Sequence, residues 1–322
     1  MHVVIVGAGK MAVEYAKVLK ALDVKFTTIT RGLAKAKIFE NATGSKAFLG
    51  GMEKFFSEFH DADFTHAIIA VNIESLMYSC MFLLNKGVKN ILLEKPGSKN
   101  ISELSVLAET AKKESAKVFI AYNRRFYTSV AVAKEIIQQD NGVQSFHFEF
   151  NEFSHQIAAL DKHTEIKQMW FLANSTHVAD MAFFLGGKPI LIKSFVSGSL
   201  PWHDAASIFT GTGKSAAGTL FTYNANWNAP GRWGIEIMTN RHRLIFRPLE
   251  KLSIQSAGSL QTEQVSLNDE KDISYKPGLY MQVKSWLQKD YGNLCTINEQ
   301  LSMMKWYYQI ANYNMHEIAI NE

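Results

Sequence analysis

The sequence predicts a two-domain protein: an α/β domain with a doubly wound parallel sheet, then an α+β domain with an open, mostly antiparallel sheet. Three observations predict it. The chain has 322 residues, more than one core usually supports. Short apolar runs alternate with helix-period segments up to residue 122, and strand-like alternation dominates beyond it. We therefore expect a first domain over residues 1–122 and a second over residues 123–322.

The first domain is predicted to have five strands joined by crossover helices. Apolar runs of strand length are Val3 to Val6, Phe26 to Ile29, Ala67 to Val71, Ile91 to Leu93 and Val118 to Ala121. The helical segments between them are Met11 to Leu22, Leu33 to Asn41, Ile73 to Lys86 and Ile101 to Ser115. This alternation is typical of repeated βαβ units.

The second domain is predicted to be rich in strands. After a helix near Val130 to Ile137, the strand-like segments are Gln144 to Phe150, Ile190 to Val196, Ala205 to Thr210, Ala216 to Tyr223, Trp233 to Met238 and His242 to Phe246. Gly211-Thr212-Gly213 is predicted to be a hairpin turn between two of them. Gly278 to Lys289 and Ile297 to Glu317 are predicted to be closing helices.

Composition limits the class of partner. The 34 basic and 30 acidic residues are spread along the chain, without the basic patch that nucleic acid or an anionic membrane requires. The two cysteines and ten histidines show no metal-type spacing, so no metal is expected. Met1 runs straight into an apolar strand without a signal-peptide pattern, and no apolar run has membrane-spanning length. We expect a cytoplasmic protein whose partner is a small molecule.

A glycine-rich turn opens the chain. Gly7-Ala8-Gly9-Lys10-Met11-Ala12 is a G-x-G-x-x-A motif between the first strand and the first helix. Gly7 permits a tight turn, Gly9 lets a pyrophosphate approach the backbone, and the helix N-terminus attracts phosphate. The motif predicts a dinucleotide-binding Rossmann domain, with Gly7, Gly9, Lys10, Met11 and, after the third predicted strand, Asn72 as cofactor-binding candidates.

The residues after the second strand indicate which dinucleotide binds. An NAD site usually has an acidic residue here for the ribose hydroxyls, but this chain has Thr30-Arg31-Gly32. A hydroxyl and a guanidinium suit a 2′-phosphate. We therefore predict NADP(H) in preference to NAD(H), which stays possible. In the alternative interpretation Arg31 stacks on the adenine or points to solvent.

Glu94-Lys95-Pro96 follows the fourth predicted strand, so it lies at the carboxyl edge of the sheet, where open α/β folds bind ligands. Pro96 limits the backbone freedom of Lys95 and helps to hold its ammonium group in place. The ordinary alternative, a surface lysine, fits this position less well. Glu94 and Lys95 are therefore candidate site residues.

Together with Ala121-Tyr122-Asn123-Arg124-Arg125-Phe126-Tyr127, these motifs resemble the glucose-fructose oxidoreductase, inositol dehydrogenase and rhizopine catabolism (Gfo/Idh/MocA) family over essentially the whole chain. The resemblance implies nicotinamide-dependent oxidation or reduction of a sugar or cyclitol. It also implies that Lys95 is catalytic and that Glu94 lies near the nicotinamide ribose. The family's Asp-x-x-x-His-x-x-Asp signature is matched by His177 and Asp180, but Ala173 replaces its first aspartate.

His177 is predicted to stand in the first turn of a helix capped by Asn174 or Ser175, where the helix dipole favours a neutral imidazole that can act as a base. A structural histidine is the alternative, and Asp180 can serve only to orient the helix. Arg232 lies in a tryptophan-containing loop that suits a sugar, although core packing explains the loop equally well. The substrate-binding candidates are Asn123, Arg124, Tyr127, Trp170, Asn174, His177 and Arg232.

These residues favour reversible hydride transfer between a nicotinamide and a hydroxyl or carbonyl carbon of a sugar, nucleotide sugar or cyclitol. His177 would exchange the proton, and Lys95 would hold the substrate oxygen. Two alternatives stay open: a non-catalytic regulator that senses a dinucleotide, and a glycoside hydrolase or lyase that recycles its cofactor. The resemblance further implies a homodimer or homotetramer.

Overall fold

The computed structural model describes residues 1–60 and 62–314, and it divides into two compact units. The first unit contains Met1–Asn123 and Lys271–Ser302, and the second contains Arg124–Glu270 and residues 303–314. From the sequence alone, all residues after 122 were expected in the second domain. The structure instead returns residues 271–302 to the first unit, because strand and helix pairings that are remote in sequence hold them there.

The strands have the following bounds. They are β1 (His2–Val6), β2 (Lys25–Thr30), β3 (Ala47–Leu49), β4 (His66–Ile69), β5 (Asn90–Leu93), β6 (Lys117–Ile120), β7 (Ser145–Phe150), β8 (Pro189–Ser197), β9 (Ile208–Ser215), β10 (Leu220–Asn226), β11 (Trp233–Met238), β12 (His242–Phe246), β13 (Ser253–Ser256), β14 (Glu263–Gln264) and β15 (Cys295–Thr296).

The helices have the following bounds. They are α1 (Lys10–Ala21), α2 (Leu33–Thr43), α3 (Gly51–Glu58), α4 (Leu76–Asn85), α5 (Ile101–Lys113), α6 (Thr128–Gln139), α7 (Ser154–Ala158), α8 (Thr164–Gln168), α9 (Thr176–Gly186), α10 (Glu270–Ser274), α11 (Leu279–Leu287) and α12 (Ile297–Ala311). The predicted closing helix Ile297 to Glu317 therefore ends earlier, and its residues 315–317 lie outside the described part of the chain.

The first unit is built on a seven-stranded sheet in the order β15-β6-β5-β4-β1-β2-β3. All neighbouring strands are parallel except β15, which pairs antiparallel with β6. Val3, Val4 and Ile5 of β1 are fully buried, as expected of a central strand covered on both faces. The five predicted strands are all present. The edge strands β3 and β15 were not predicted, because two or three residues carry no readable pattern.

The second unit is built on an eight-stranded sheet in the order β14-β13-β12-β11-β7-β10-β9-β8. Only β7 and β10 pair in parallel, so the predicted mostly antiparallel sheet is confirmed. Phe146, Phe148 and Phe150 are alternate residues of β7, so all three point from the same face of the sheet into the core. There they contact the rings of Phe183, Phe221 and Tyr223. Helix α9 packs on β7 and β11. This face of the sheet therefore positions α9, which contains the predicted site residues His177 and Asp180.

Gly211-Thr212-Gly213 does not form the predicted turn. It lies inside β9, and the hairpin reverses over residues 216–219. A Cβ atom on Gly211 would lie 2.3 Å from the Tyr223 hydroxyl oxygen, and one on Gly213 would lie 2.2 Å from the Leu191 carbonyl oxygen. These glycines therefore make room for neighbouring strands and rings within the sheet, a use of strand glycine that resembles a turn in sequence.

Among the described residues, no helix combines the length and the apolar character that crossing a membrane requires.

Candidate functional site

A cavity of about 460 Å³ opens beside the glycine turn of the first unit. It is lined from the ends of β1, β2 and β4 and from α3 and α4. Gly7 has φ +108°, and a Cβ atom there would lie 2.3 Å from the Ala70 carbonyl oxygen. Only glycine fits this turn, because it needs both positive φ and close approach to the next strand. The candidates Gly7, Gly9, Thr30, Arg31 and Asn72 all line the cavity.

Helix α1 begins beside this cavity with its donors uncapped. Gly9 is the N-cap residue, no side chain caps the helix, and the first turn contains no acidic residue. No atom lies within 4 Å of a Cβ built on Gly9, so its backbone is approachable. Free N–H groups at the start of a twelve-residue helix bind anions. The cavity therefore fits a dinucleotide, with its diphosphate at this helix end. Lys10 and Met11 are the first helical residues, but neither lines the cavity.

Opposite charges meet at another part of the cavity wall. The side chains of Arg31 and Glu53 both lie over Gly51: a Cβ there would be 3.1 Å from Arg31 Cγ and 3.2 Å from Glu53 Oε2. The Tyr78 hydroxyl donates to Glu53 and lowers the pKa of this carboxyl, so it is a carboxylate at neutral pH. Glu53 was not predicted as a site residue. The prediction for the ribose-binding position rested on the residues at the end of β2, whereas this carboxylate comes from α3.

Glu94 and Lys95 follow β5 at the carboxyl edge of the sheet, as predicted, and the Lys95–Pro96 peptide bond is cis. Neither residue lines the cavity. The buried Tyr15 hydroxyl donates to Glu94 Oε1 over 2.8 Å. Burial raises the pKa of Glu94, while the Tyr15 hydrogen bond and the positive charge of Lys95 oppose that rise. The carboxyl group is thus fixed in direction beside the lysine.

In the second unit, several predicted substrate residues meet around a residue that was not predicted, Glu152. Its side chain is 3% exposed. Oε1 accepts hydrogen bonds from Asn174 Nδ2 over 2.9 Å and from Ser175 Oγ over 2.6 Å, and Oε2 accepts from Arg232 Nη1 over 2.9 Å. Asn174 and Ser175 therefore do not cap a helix. They fasten the segment before α9 to the residues that follow β7.

His177 is not at a free helix start. A π-helical turn over Phe171–Ser175 runs directly into α9, and Ser175 itself has helical dihedral angles. The predicted dipole effect on His177 was therefore wrong, because another helical turn precedes it. The imidazole is buried, and its ring centroid lies 6.3 Å from that of Trp233.

Asp180 forms a buried bidentate ion pair with Arg125, at 2.6 Å and 2.8 Å. The pair joins α9 to the turn that precedes α6. Removing one partner of such a pair costs roughly 3–5 kcal/mol, because the other charge stays buried and uncompensated.

Other predicted substrate residues are engaged in packing. Asn123 is buried and donates to the Pro277 carbonyl, and the buried Tyr127 hydroxyl donates to Glu250 over 3.3 Å. Trp170 is buried edge-on against Trp202. Trp227, from the predicted sugar-binding loop, stacks on Trp202 in the core. Among the described residues, no cluster of three or more His, Cys, Asp or Glu side chains suits a metal ion.

A parallel sheet, a glycine turn and an uncapped helix beside a cavity define a dinucleotide-binding Rossmann domain. Residues 1–122 match the family model described as "Oxidoreductase family, NAD-binding Rossmann fold", that is, Gfo/Idh/MocA. The match covers the first 122 of the 322 residues, and over this part of the chain it confirms the resemblance drawn from the sequence motifs. No curated protein matches the sequence significantly.

Solved structures share the fold of the whole chain. An oxidoreductase from Agrobacterium radiobacter, in complex with NAD⁺, L-tartaric acid and magnesium, is 14% identical with a TM-score of 0.76 and covers 100% of this chain and 96% of its own. Levoglucosan dehydrogenase in complex with NADH and L-sorbose is 15% identical (TM-score 0.78; 96% and 95% covered). UDP-N-acetylglucosamine 3-dehydrogenase from Acidithiobacillus ferrooxidans is 15% identical (TM-score 0.74; 97% of each chain covered).

Proposed function

We propose that this protein is a nicotinamide-dependent oxidoreductase that transfers a hydride to or from a hydroxyl or carbonyl carbon of a sugar, nucleotide sugar or cyclitol. The observation that carries the proposal is the cavity beside Gly7 and the uncapped start of α1. Two of the structurally similar proteins are named as dehydrogenases of levoglucosan and of a nucleotide sugar, which supports the substrate class.

The nicotinamide, when bound, supplies the hydride chemistry, and the chain binds, orients and moves protons. The backbone around Gly7, Gly9, Lys10 and Met11 would hold the diphosphate, with Asn72 beside it. Thr30 and Arg31 would bind the adenosine end. Glu94 would orient the nicotinamide ribose, and its hydrogen bond from Tyr15 supports this role because it fixes the carboxyl group.

Lys95 and His177 are the proposed catalytic residues. The Lys95 ammonium would donate a charge-assisted hydrogen bond to the substrate oxygen and stabilise its alkoxide character in the transition state. His177 would exchange the proton with that oxygen. Of the other candidates, we retain Arg124, Asn174 and Arg232 as substrate residues. Asn123, Tyr127 and Trp170 are buried in packing or hydrogen bonds, so we assign them a supporting role.

The test is turnover on a panel of sugars and nucleotide sugars, followed by absorbance of the reduced nicotinamide. We expect net cofactor turnover. Lys95→Ala should lower kcat by roughly 10²–10⁴ while cofactor still binds, because a lost transition-state donor or proton carrier costs about this much. The matched control is Lys99→Ala, which removes an exposed lysine paired with Glu103.

The other outcomes are informative as well. Turnover near wild type in Lys95→Ala, or equally in His177→Ala, would contradict the assigned roles. Product without net change in the cofactor would favour a hydrolase or lyase that recycles it. Tight cofactor binding with no product would favour a dinucleotide sensor.

We further propose that NADP(H) is preferred over NAD(H), and that the chain forms a homodimer or homotetramer. The cation at Arg31 and the hydroxyl at Thr30 support the cofactor preference, since both line the cavity. The outer face of the eight-stranded sheet exposes the large apolar side chains of Leu191, Phe195 and Leu220, which supports assembly through that face. Light scattering in solution measures the assembly directly.

A further inference from the structure

Two arginines lie over one tryptophan in the second unit. The guanidinium carbon of Arg232 is 4.2 Å from the ring centroid of Trp233, and that of Arg124 is 4.9 Å from it. Glu152 and His177 adjoin the same tryptophan or its arginines. We call these five residues, Arg124, Glu152, His177, Arg232 and Trp233, the Trp233 cluster.

The negatively charged group of the cluster already accepts hydrogen bonds from neighbouring side chains. Glu152 is its one carboxylate, and both of its oxygens accept hydrogen bonds, from Asn174 and Ser175 on one side and from Arg232 on the other. Glu250, near Arg124, accepts instead from the Tyr127 hydroxyl. The cluster therefore carries two guanidinium groups against one occupied carboxylate.

In the described part of the chain, Arg124 is the guanidinium group of the cluster that is not paired with a carboxylate. Its side chain is only partly exposed, and burial lowers its pKa, an effect that Arg232 adds to and that Glu250 and Glu152 oppose. Within residues 1–60 and 62–314, no acceptor forms a hydrogen bond with its guanidinium group. Guanidinium groups withdrawn from water are normally paired, because the fork of five donors otherwise stays unsatisfied. The flat face of Trp233 holds the group in orientation but accepts none of its N–H bonds.

We propose that the Trp233 cluster binds an anionic group of the substrate, with Arg124 as the principal donor, so that the substrate is an acidic sugar. This inference rests on the proposed function. A carboxylate or a phosphoryl group offers the paired oxygens that a guanidinium fork binds. Arg232 contributes through the donors that Glu152 does not use. A neutral sugar would offer Arg124 only hydroxyl and ether oxygens as acceptors and would leave its positive charge without a counter-charge.

The test compares neutral and anionic sugars of one stereochemistry. D-glucose, D-glucuronate and D-glucose 6-phosphate are titrated by calorimetry into the protein saturated with reduced cofactor, at constant ionic strength. We expect at least one of the two anions to bind about tenfold or more tightly than glucose, as one charge-assisted hydrogen bond provides. The two anions distinguish a carboxylate site from a phosphate site.

Variants then locate the effect. Arg124→Met should abolish the preference for the anion over glucose, and Arg124→Lys should restore part of that preference. The control is Arg241→Met, which removes an exposed arginine from the turn between β11 and β12 and should change nothing. Glu152→Gln removes the competing charge but keeps an acceptor, so it should tighten anion binding, which separates an electrostatic role from a merely structural one.

The inference is overturned if neither anion binds more tightly than glucose, including the case in which none binds, or if the preference survives Arg124→Met. These readouts need no catalysis. Anion binding that depends on Arg124, without cofactor turnover on any sugar, would support the inference and refute the proposed function. Turnover of neutral sugars alone would do the reverse.

Discussion

Arg31 and Glu53 carry opposite charges on the same cavity wall, and we expect their balance to decide which dinucleotide is preferred. A 2′-phosphate is attracted by Arg31 and repelled by Glu53, whereas free ribose hydroxyls can donate to the carboxylate. No carboxylate in the described part of the chain forms an ion pair with Arg31. Glu53 acts on Arg31 through its charge without forming an ion pair, so the guanidinium donors can bind a ligand, and this is the physical basis for the preference we propose.

We expect Arg31→Ala to raise the Kd of NADPH about tenfold or more while changing that of NADH less than about threefold, because only NADPH loses a charge-assisted hydrogen bond. Fluorescence titration of both cofactors measures this. Glu53→Gln should act in the opposite direction and tighten NADPH binding. Lys17→Ala, which removes an exposed charge on α1 paired with Glu14, is the control. Equal or tighter binding of NAD(H), unaffected in Arg31→Ala, would contradict the cofactor preference.

Single residues were predictable where their chemistry is local. Gly7 and Gly9 follow from the conformation of one turn, and the position of Lys95 follows from one strand end. Glu152 was not predictable, because its partner Arg232 is 80 positions away and their meeting depends on strand order. For the same reason, sequence could not distinguish the packed Trp227 from the arginine-bound Trp233, although both belong to one loop.

At the scale of elements, apolar periodicity identified the buried strands and the long helices, because these elements owe their pattern to burial on a regular surface. It failed for the short strands β3 and β15, which lie at the two edges of the first sheet, and for the eight-residue helix α3. Gly211 and Gly213 of β9 show a second cause of failure. Atoms of neighbouring strands occupy the space that a side chain would need there, but the glycines were interpreted as a sign of a turn.

We expect Gly213→Ala to destabilise the protein by about 2 kcal/mol or more, because the new methyl group would lie 2.2 Å from a backbone oxygen that cannot move without breaking sheet pairing. Urea unfolding followed by circular dichroism gives the difference. Gly292→Ala is the matched control, since its nearest neighbour is an atom of Asp290 at 4.0 Å. If the two alanine variants unfold alike, the packing argument for β9 is wrong.

At the scale of the whole molecule, the first unit is not one continuous stretch of chain. Strand β15 covers the open edge of β6, and α11 packs against α1. From α11, the fully buried Trp286 contacts the ring of His66 at 5.0 Å. A sheet edge and an apolar helix face would otherwise be exposed to water. No composition change marks this return, so a single boundary was the natural sequence-based expectation.

A fragment containing only residues 1–123 should therefore aggregate or unfold at lower temperature than the same fragment joined by a Gly-Ser linker to Lys271–Ser302. Size-exclusion chromatography and thermal circular dichroism compare the two, and NADPH binding provides a second readout. Equal melting and equal solubility of both fragments would show that the returning segment adds no stability.

The return of the chain at residues 271–302 has a consequence for synthesis. A ribosome delivers residues 1–123 first, yet the strand and helix that complete their fold emerge only after the intervening 124–270 segment has been made. The first unit must therefore wait, with one flank uncovered, during translation of about 180 further residues, roughly 9–36 s at ordinary elongation rates. This interval is when the nascent protein should depend most on chaperones.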